Sequence, residues 1–255
     1  MEPLSALVII VAGIAAGTIN TIVGSGSLIT FPTLLFLGFP PLVANVSNTI
    51  GLVPGSISGS IGYRREFAGQ GRRARPLLIA AGAGGVTGAV LLLVLPASAF
   101  ARIVPVLILV ACGLVAIQPR VSAWVIARRS RPGHDARPDG GPLLVAGVYL
   151  TGIYGGYFGA AQGVILIALL AILVDDDLQR LNGLKNVVAT VINAVAAIIF
   201  IAVAPVAWLP ALLLAIGSTI GGQFGAVLGR RLSPFALRAA IISIGTVVAV
   251  RLLLG

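Results

Sequence analysis

The chain's one lysine, Lys185, falls inside an apolar run, whereas its other basic side chains are arginines gathered mostly in short polar stretches. An ammonium in an apolar setting is costly unless something negative faces it. Asn186 follows it directly and Asn193 lies two helical turns further on, and both carry amide N–H donors. Two glycine-rich breaks offer a second kind of donor, Gly24-Ser25-Gly26-Ser27 and Gly159-Ala160-Ala161-Gln162-Gly163. A helix that starts after such a break aims unpaired N–H groups and the positive end of its dipole at whatever fills the gap. The expected binding shell is therefore Gly24, Ser25, Gly26, Asn48 and Thr49 with Gln162, Lys185, Asn186 and Asn193. Such a shell suits a small anion.

Each of these residues also has a plainer role open to it. Lys185 could snorkel to an interface, and Asn48 and Asn186 could simply tie helices together. Ser25 and Ser27 could relieve a turn, and Asn20 and Thr21 sit just before the first break. Asp175, Asp176 and Asp177 read as a helix start in a solvated loop, with gating the alternative, and His134 reads as a solvated bystander. Asp177 is the expected N-cap. Eight residues on, Lys185 would then lie roughly 12 Å into the helix at 1.5 Å per residue.

Catalysis is not expected. Ser25 in a Gly-Ser-Gly turn invites a nucleophile, but a nucleophilic serine needs a base within reach, and the one histidine lies in a charged stretch. Cys112 is the only cysteine, so neither a disulfide framework nor a thiolate metal site is expected. No cofactor is called for.

The elements that must carry this shell are membrane helices. Of the 255 residues 58% are hydrophobic and 9% charged, and the mean hydropathy is +1.09. A soluble domain carries about 25% charged residues, so lipid must cover most of this surface. Ten apolar segments are expected, near 4–23, 27–38, 41–62, 77–95, 98–118, 142–158, 161–174, 178–204, 206–228 and 235–254. The second and seventh are too short to cross alone and follow the two glycine breaks, as paired half-length or re-entrant helices would.

The order of short motifs repeats. Val11-Ala12-Gly13 is similar to Val145-Ala146-Gly147, Gly17 and Gly24 to Gly152 and Gly159, Asn45 to Asn182, and Gly88-Ala89-Val90-Leu91 to Gly225-Ala226-Val227-Leu228. At the Asn45–Asn182 spacing, Asn48 corresponds to Lys185 and Thr49 to Asn186. The expected organisation is a first membrane repeat at 1–118, a basic cytoplasmic linker at 119–141 and a second repeat at 142–255.

Arginines set the orientation. Arg64, Arg65, Arg72, Arg73 and Arg75 follow the third segment; Arg120, Arg128, Arg129, Arg131 and Arg137 fill the central stretch; Arg230 and Arg231 precede the last. The net charge of +10 is thus read through the positive-inside rule, not as a nucleic-acid surface. Met1-Glu2-Pro3 has no basic run ahead of its apolar stretch, so a retained first span with its N-terminus outside is expected. Five segments per half is odd, so the halves would insert in opposite directions, an inverted-repeat plan with the site where they meet. The expected fold is an all-α polytopic membrane protein of two inverted-topology repeats.

Ala15-Ala16-Gly17, Gly24-Ser25-Gly26-Ser27, Phe31-Pro32 and Ala44-Asn45-Val46-Ser47-Asn48-Thr49 resemble the first half of TauE/SafE-type permeases. Gly155-Gly156-Tyr157-Phe158-Gly159 and Gly229-Arg230-Arg231-Leu232-Ser233-Pro234 carry the resemblance through the second half. It departs at Ala160-Ala161-Gln162-Gly163-Val164-Ile165, where many members have a further glycine run and a proline. The resemblance implies export of sulfite, sulfoacetate or similar sulfonates across the prokaryotic plasma membrane. The expected partners are a small sulfonate-like or sulfite-like anion and the lipid bilayer, with a homodimer left open. No Asp or Glu lies within an apolar segment, so a membrane-embedded carboxylate relay is not expected. Alternating access could run on the membrane potential, worth about 2.3 kcal/mol per charge per 100 mV. Uptake, another anion such as thiosulfate or a carboxylate, and an anion channel are the alternatives.

Overall fold

A computed structural model describes residues 1–129, 139–228 and 234–254. Arg131, His134, Arg137, Arg230 and Arg231, and most of the Gly229–Pro234 motif, lie outside the described residues. Ten helices fall on the ten expected segments: α1 Pro3–Ile22, α2 Ser27–Phe36, α3 Pro41–Gly62, α5 Gly71–Val94, α6 Ala97–Arg129, α7 Gly141–Tyr157, α8 Gln162–Leu173, α9 Leu178–Val203, α10 Trp208–Leu228 and α11 Pro234–Leu254. A four-residue helix, α4 Arg64–Phe67, is additional. Two bounds differ materially from the sequence reading. Helix α5 begins at Gly71, six residues early, and α6 runs on to Arg129, so the first part of the basic stretch is helical. Among the described residues, five helices are long and apolar enough to cross a bilayer: α1, α5, α6 to Val121, α9 and α10 to Val227.

Local chemistry explains the ends. Proline stands in the first turn of α1, α3 and α7, where its missing N–H costs nothing. Asp177 caps α9 as expected, accepting from the amides of Gln179 and Arg180. Helix α1 closes where Gly24 turns left-handed (φ 87°), its amide and that of Val23 both donating to the Ile19 carbonyl. Helix α7 closes the same way at Gly159 (φ 76°), where the amides of Phe158 and Gly159 both donate to Tyr154. The two breaks are thus built alike.

The helices interleave. Helix α10 packs on α1 and α3, and α5 packs on α7 and α9. Each of these pairings has its counterpart when the halves are exchanged, as have α1–α2 with α7–α8, α2–α3 with α8–α9, and α2–α11 with α8–α6. Helices α3 and α9 meet at the centre and α6 pairs with α11. Glycines bring backbones together at the tightest seams, Gly13 and Gly217 on α1 and α10, Gly84 and Gly152 on α5 and α7, in the manner of membrane helices. An aromatic cluster of Phe31, Phe100 and Phe158 fills one core and Leu77, Leu144, Leu181 and Leu184 another. Large apolar side chains such as Ile79, Val94, Ile198 and Val227 point outward, as lipid contact requires.

Candidate functional site

The two glycine breaks meet. The Gly163 amide donates to the Gly24 carbonyl across 3.1 Å, and a Cβ on either glycine would run into the backbone of the other. Helices α1 and α8, from opposite halves, are thereby joined at their ends. Ala161 precedes α8 in the left-handed region (φ 59°) without being glycine, a conformation that costs about 1–2 kcal/mol per residue.

A narrow polar cleft opens beside this contact, lined among others by Asn20, Gly24, Ser56, Gln162, Lys185 and Asn186. Lys185 is fully buried, and its ammonium donates to the carbonyls of Thr21 (3.2 Å) and Asn20 (3.4 Å) in the last turn of α1. Asn182 and Asn186 also donate to Thr21, at 3.4 and 3.3 Å. Three donors thus crowd one carbonyl oxygen, which has two lone pairs. The ion pairs among the described residues are Arg73 with Asp139 and Asp176, and Arg180 with Asp176; none involves Lys185.

Four of the nine expected shell residues, Gly24, Gln162, Lys185 and Asn186, line the cleft. Asn193 stands behind it, accepting from the Gln162 amide at 2.9 Å. Gly26 touches it through Asn20, whose side-chain oxygen accepts from the Gly26 amide at 3.3 Å. Ser25 is buried with its hydroxyl unpartnered. Asn48 is turned to α2, where the Thr30 hydroxyl donates to it, and Thr49 bonds back to Asn45 in its own helix. Neither lines the cleft. Ser56 was missed as a candidate, although at the Asn45–Asn182 spacing it is the counterpart of Asn193. In the sequence Asn182 stands out only as a marker of the repeat, and its counterpart Asn45 donates to the Tyr157 carbonyl at the end of α7, 3.1 Å.

At the start of α9 the aspartates do more than begin a helix. Asp176 is half-buried and bound by Arg73 (2.8 Å) and Arg180 (2.9 Å). Burial works against its ionisation, but the hydrogen bonds from Arg73 and the Asp177 amide and the charges of Arg180 and Arg73 hold its carboxyl below the usual range. Gln70 bridges the same corner, donating to the carbonyls of Glu66 and Arg180.

Interleaved apolar helices, two broken pairs and a buried polar cleft at their meeting point define a multi-pass helical membrane protein. The family described as Sulfite exporter TauE/SafE matches residues 9–252, and the chain belongs to it. It is similar to "Probable membrane transporter protein ORF9" of Sinorhizobium sp, 26% identical over 95% of this chain and 90% of that one. A "Probable membrane transporter protein" of Haemophilus influenzae is 27% identical over 84% of this chain and 81% of its own. "Probable membrane transporter protein YfcA" of Escherichia coli K12 is 23% identical over 99% and 91%. No solved structure matches the chain. The protein is a membrane transporter of this family.

Proposed function

We propose that the transporter exports a small organosulfur anion, sulfite, sulfoacetate or a similar sulfonate, by alternating access, and that the anion sits in the cleft against Lys185. The observation that carries this reading is the ammonium itself. It is fully buried, and no carboxylate among the described residues pairs with it. An uncompensated buried charge costs several kcal/mol, and an anionic cargo removes that cost while it is bound. Amides of Asn186 and Gln162 beside it supply directed donors for the cargo's oxygens.

Division into repeats at 1–118 and 142–255, inserted in opposite directions, belongs to the same proposal. The exchange of helix pairings between halves supports it, and so does the shared closure of α1 and α7. With the arginine-rich loops inside the cell and the N-terminus outside, the cleft would be reached alternately from each face of a prokaryotic plasma membrane. No membrane-embedded carboxylate is needed, because the membrane potential drives an anion outward.

Purified protein in proteoliposomes tests the reading by sulfite flux under an imposed potential or an imposed pH gradient. Saturable flux that grows with the potential is the expected result. Flux that ignores the potential and follows the pH gradient defeats the mechanism. A thermal-stability panel of sulfite, sulfonates, thiosulfate and carboxylates that shows no stabilisation by any sulfur anion defeats the cargo.

A further inference from the structure

We propose that Asn20 is a built-in stand-in for the anion, which occupies the cargo's donors while the carrier is empty and is displaced when cargo enters. The inference rests on the reading that the cleft binds an anion through Lys185.

Asn20 presents two oxygens in two directions. Its main-chain carbonyl accepts from the Lys185 ammonium at 3.4 Å, and its side-chain oxygen accepts from the Gly26 amide at 3.3 Å, at the start of α2. Its side-chain nitrogen is held by the Ser56 hydroxyl at 3.5 Å, which fixes the oxygen toward α2. One residue therefore bridges a buried ammonium and a helix N-terminus, the two kinds of donor that an oxyanion with two free oxygens would bridge. Both are groups that attract negative charge, yet the oxygens they meet here are neutral. Every one of these contacts is longer than the usual range of roughly 2.7–3.2 Å for N–H···O bonds. They are loose bonds, and a charged oxyanion makes shorter and stronger ones with the same donors.

The neighbouring carbonyl is arranged the same way. Thr21 accepts from Lys185, Asn182 and Asn186 together, more donors than its lone pairs can serve well. Lys185 and Asn186 can leave it for an anion while Asn182 remains, so the end of α1 keeps a partner throughout. Asn20 is half-buried on the cleft wall, close enough to return when the cargo leaves. Since Gly24 follows four residues later and is bonded to Gly163, moving Asn20 aside loosens the end of α1 next to the contact that joins the two halves. Cargo entry and the movement of α1 are then one event.

Asn20 is thus a positioning residue whose removal and whose charging have opposite effects. Asn20→Ala keeps the main-chain carbonyl on Lys185 and deletes the side-chain oxygen that competes for the Gly26 amide; since a ligand's apparent affinity falls with the fraction of protein in a competent state, sulfite should bind about three- to tenfold tighter. Asn20→Asp puts a permanent carboxylate against the Gly26 amide at the start of α2, on the residue whose main-chain carbonyl faces Lys185. It should exclude sulfite and raise the ligand-free melting temperature by about 2 °C or more.

The experiment is a titration of purified full-length protein with sulfite and with methanesulfonate, read by calorimetry and by thermal unfolding. It compares the natural chain with Asn20→Ala, Asn20→Asp and Lys185→Met. Binding by the natural chain and its loss in Lys185→Met secure the underlying reading. Given that, tighter binding by Asn20→Ala and no binding by a stabilised Asn20→Asp are expected. Equal or weaker binding by Asn20→Ala overturns the stand-in, as does an Asn20→Asp protein that binds sulfite normally. If neither probe binds the natural chain, the cargo assignment fails by itself. The ligand-free melting temperature of Asn20→Asp then decides: a rise upholds an anion's place at Asn20, and no rise removes it. The same measurement decides if Asn20→Ala does not fold.

Discussion

Gly163 and Gly24 are bonded backbone to backbone, amide to carbonyl at 3.1 Å, with no room for a side chain on either. The contact ties the first turn of α8 to the end of α1 and so fixes where the two halves of the chain meet. It also places Gln162 and Lys185 on the walls of one cleft.

Three alanine variants separate what this contact requires. Gly38 has the same φ as Gly24, 87°, but open space around it, so Gly38→Ala carries the left-handed penalty alone, about 1 kcal/mol. Gly163 has an ordinary φ, so Gly163→Ala carries the collision alone, about 1–3 kcal/mol. Gly24→Ala carries both and should cost the most, about 2–4 kcal/mol. Thermal unfolding in detergent gives the order. If Gly38→Ala is as harmful as Gly24→Ala, the glycine contact is not a constraint.

Much of the architecture was readable in advance because lipid imposes its own punctuation. Uninterrupted apolar length and the glycine-rich breaks at Gly24 and Gly159 are local signals, and the ten segments they mark are helices. Helix α4 was not readable, since four residues carry no periodicity. It is held from outside, by Gln70 bonding across to Arg180 and by the seat of Glu66 and Phe67 against Gly183. Residue type points to Lys185, Asn186, Gln162 and Gly24, which line the cleft, but not to the direction in which α3 faces. Asn48 was paired with Lys185 by the repeat, yet it turns to Thr30 on α2, while Ser56, two turns on, reaches the cleft. The rotation of a helix buried over most of its length is settled by packing partners that its own sequence does not name.

Lys185→Met should separate stability from transport. Replacing a buried charge by an apolar side chain of similar length is often neutral or stabilising, by about 1–4 kcal/mol. Thr21 keeps Asn182 and Asn186 as donors in the variant, and the Asn20 carbonyl, which loses the ammonium, lies on the wall of the polar cleft. The expected protein melts at or above the natural temperature and carries no sulfite in proteoliposomes. Normal flux in a folded Lys185→Met protein would remove the ammonium from the cargo site.

The Asp176 corner predicts a dependence on acid. Its folded-state pKa is depressed, so the pairing contributes fully above the unfolded value of about 3.9 and is lost as the pH falls through the lower folded value. Asp176→Asn should remove that acid sensitivity and destabilise by about 1–2 kcal/mol at neutral pH, between an exposed and a buried pair. Unfolding of the two proteins between pH 3 and 7 checks both points. Parallel curves for the two would mean that Asp176 is not linked to folding.

Asn45 and Asn182 are counterparts in the two halves, and each donates to the last turn of a broken helix in the other half, at Tyr157 and Thr21. Their deletion should nevertheless have unequal effects. Thr21 also accepts from Lys185 and Asn186, so Asn182→Ala leaves it well supplied and should cost only a few tenths of a kcal/mol. Tyr157 has no such reserve among the described side-chain bonds, and Asn45 is itself buried. Asn45→Ala therefore strands a carbonyl at the end of α7 and should cost about 1–3 kcal/mol, the penalty of an unmet buried acceptor. The asymmetry follows from a lysine present in one half and replaced by Asn48 in the other. Thr21 is stranded as Tyr157 would be only when Asn182→Ala, Lys185→Met and Asn186→Ala are combined, and that triple variant should bring the loss up toward that of Asn45→Ala. Equal effects of the two single variants on thermal unfolding would show that the crowded donors at Thr21 do not substitute for one another.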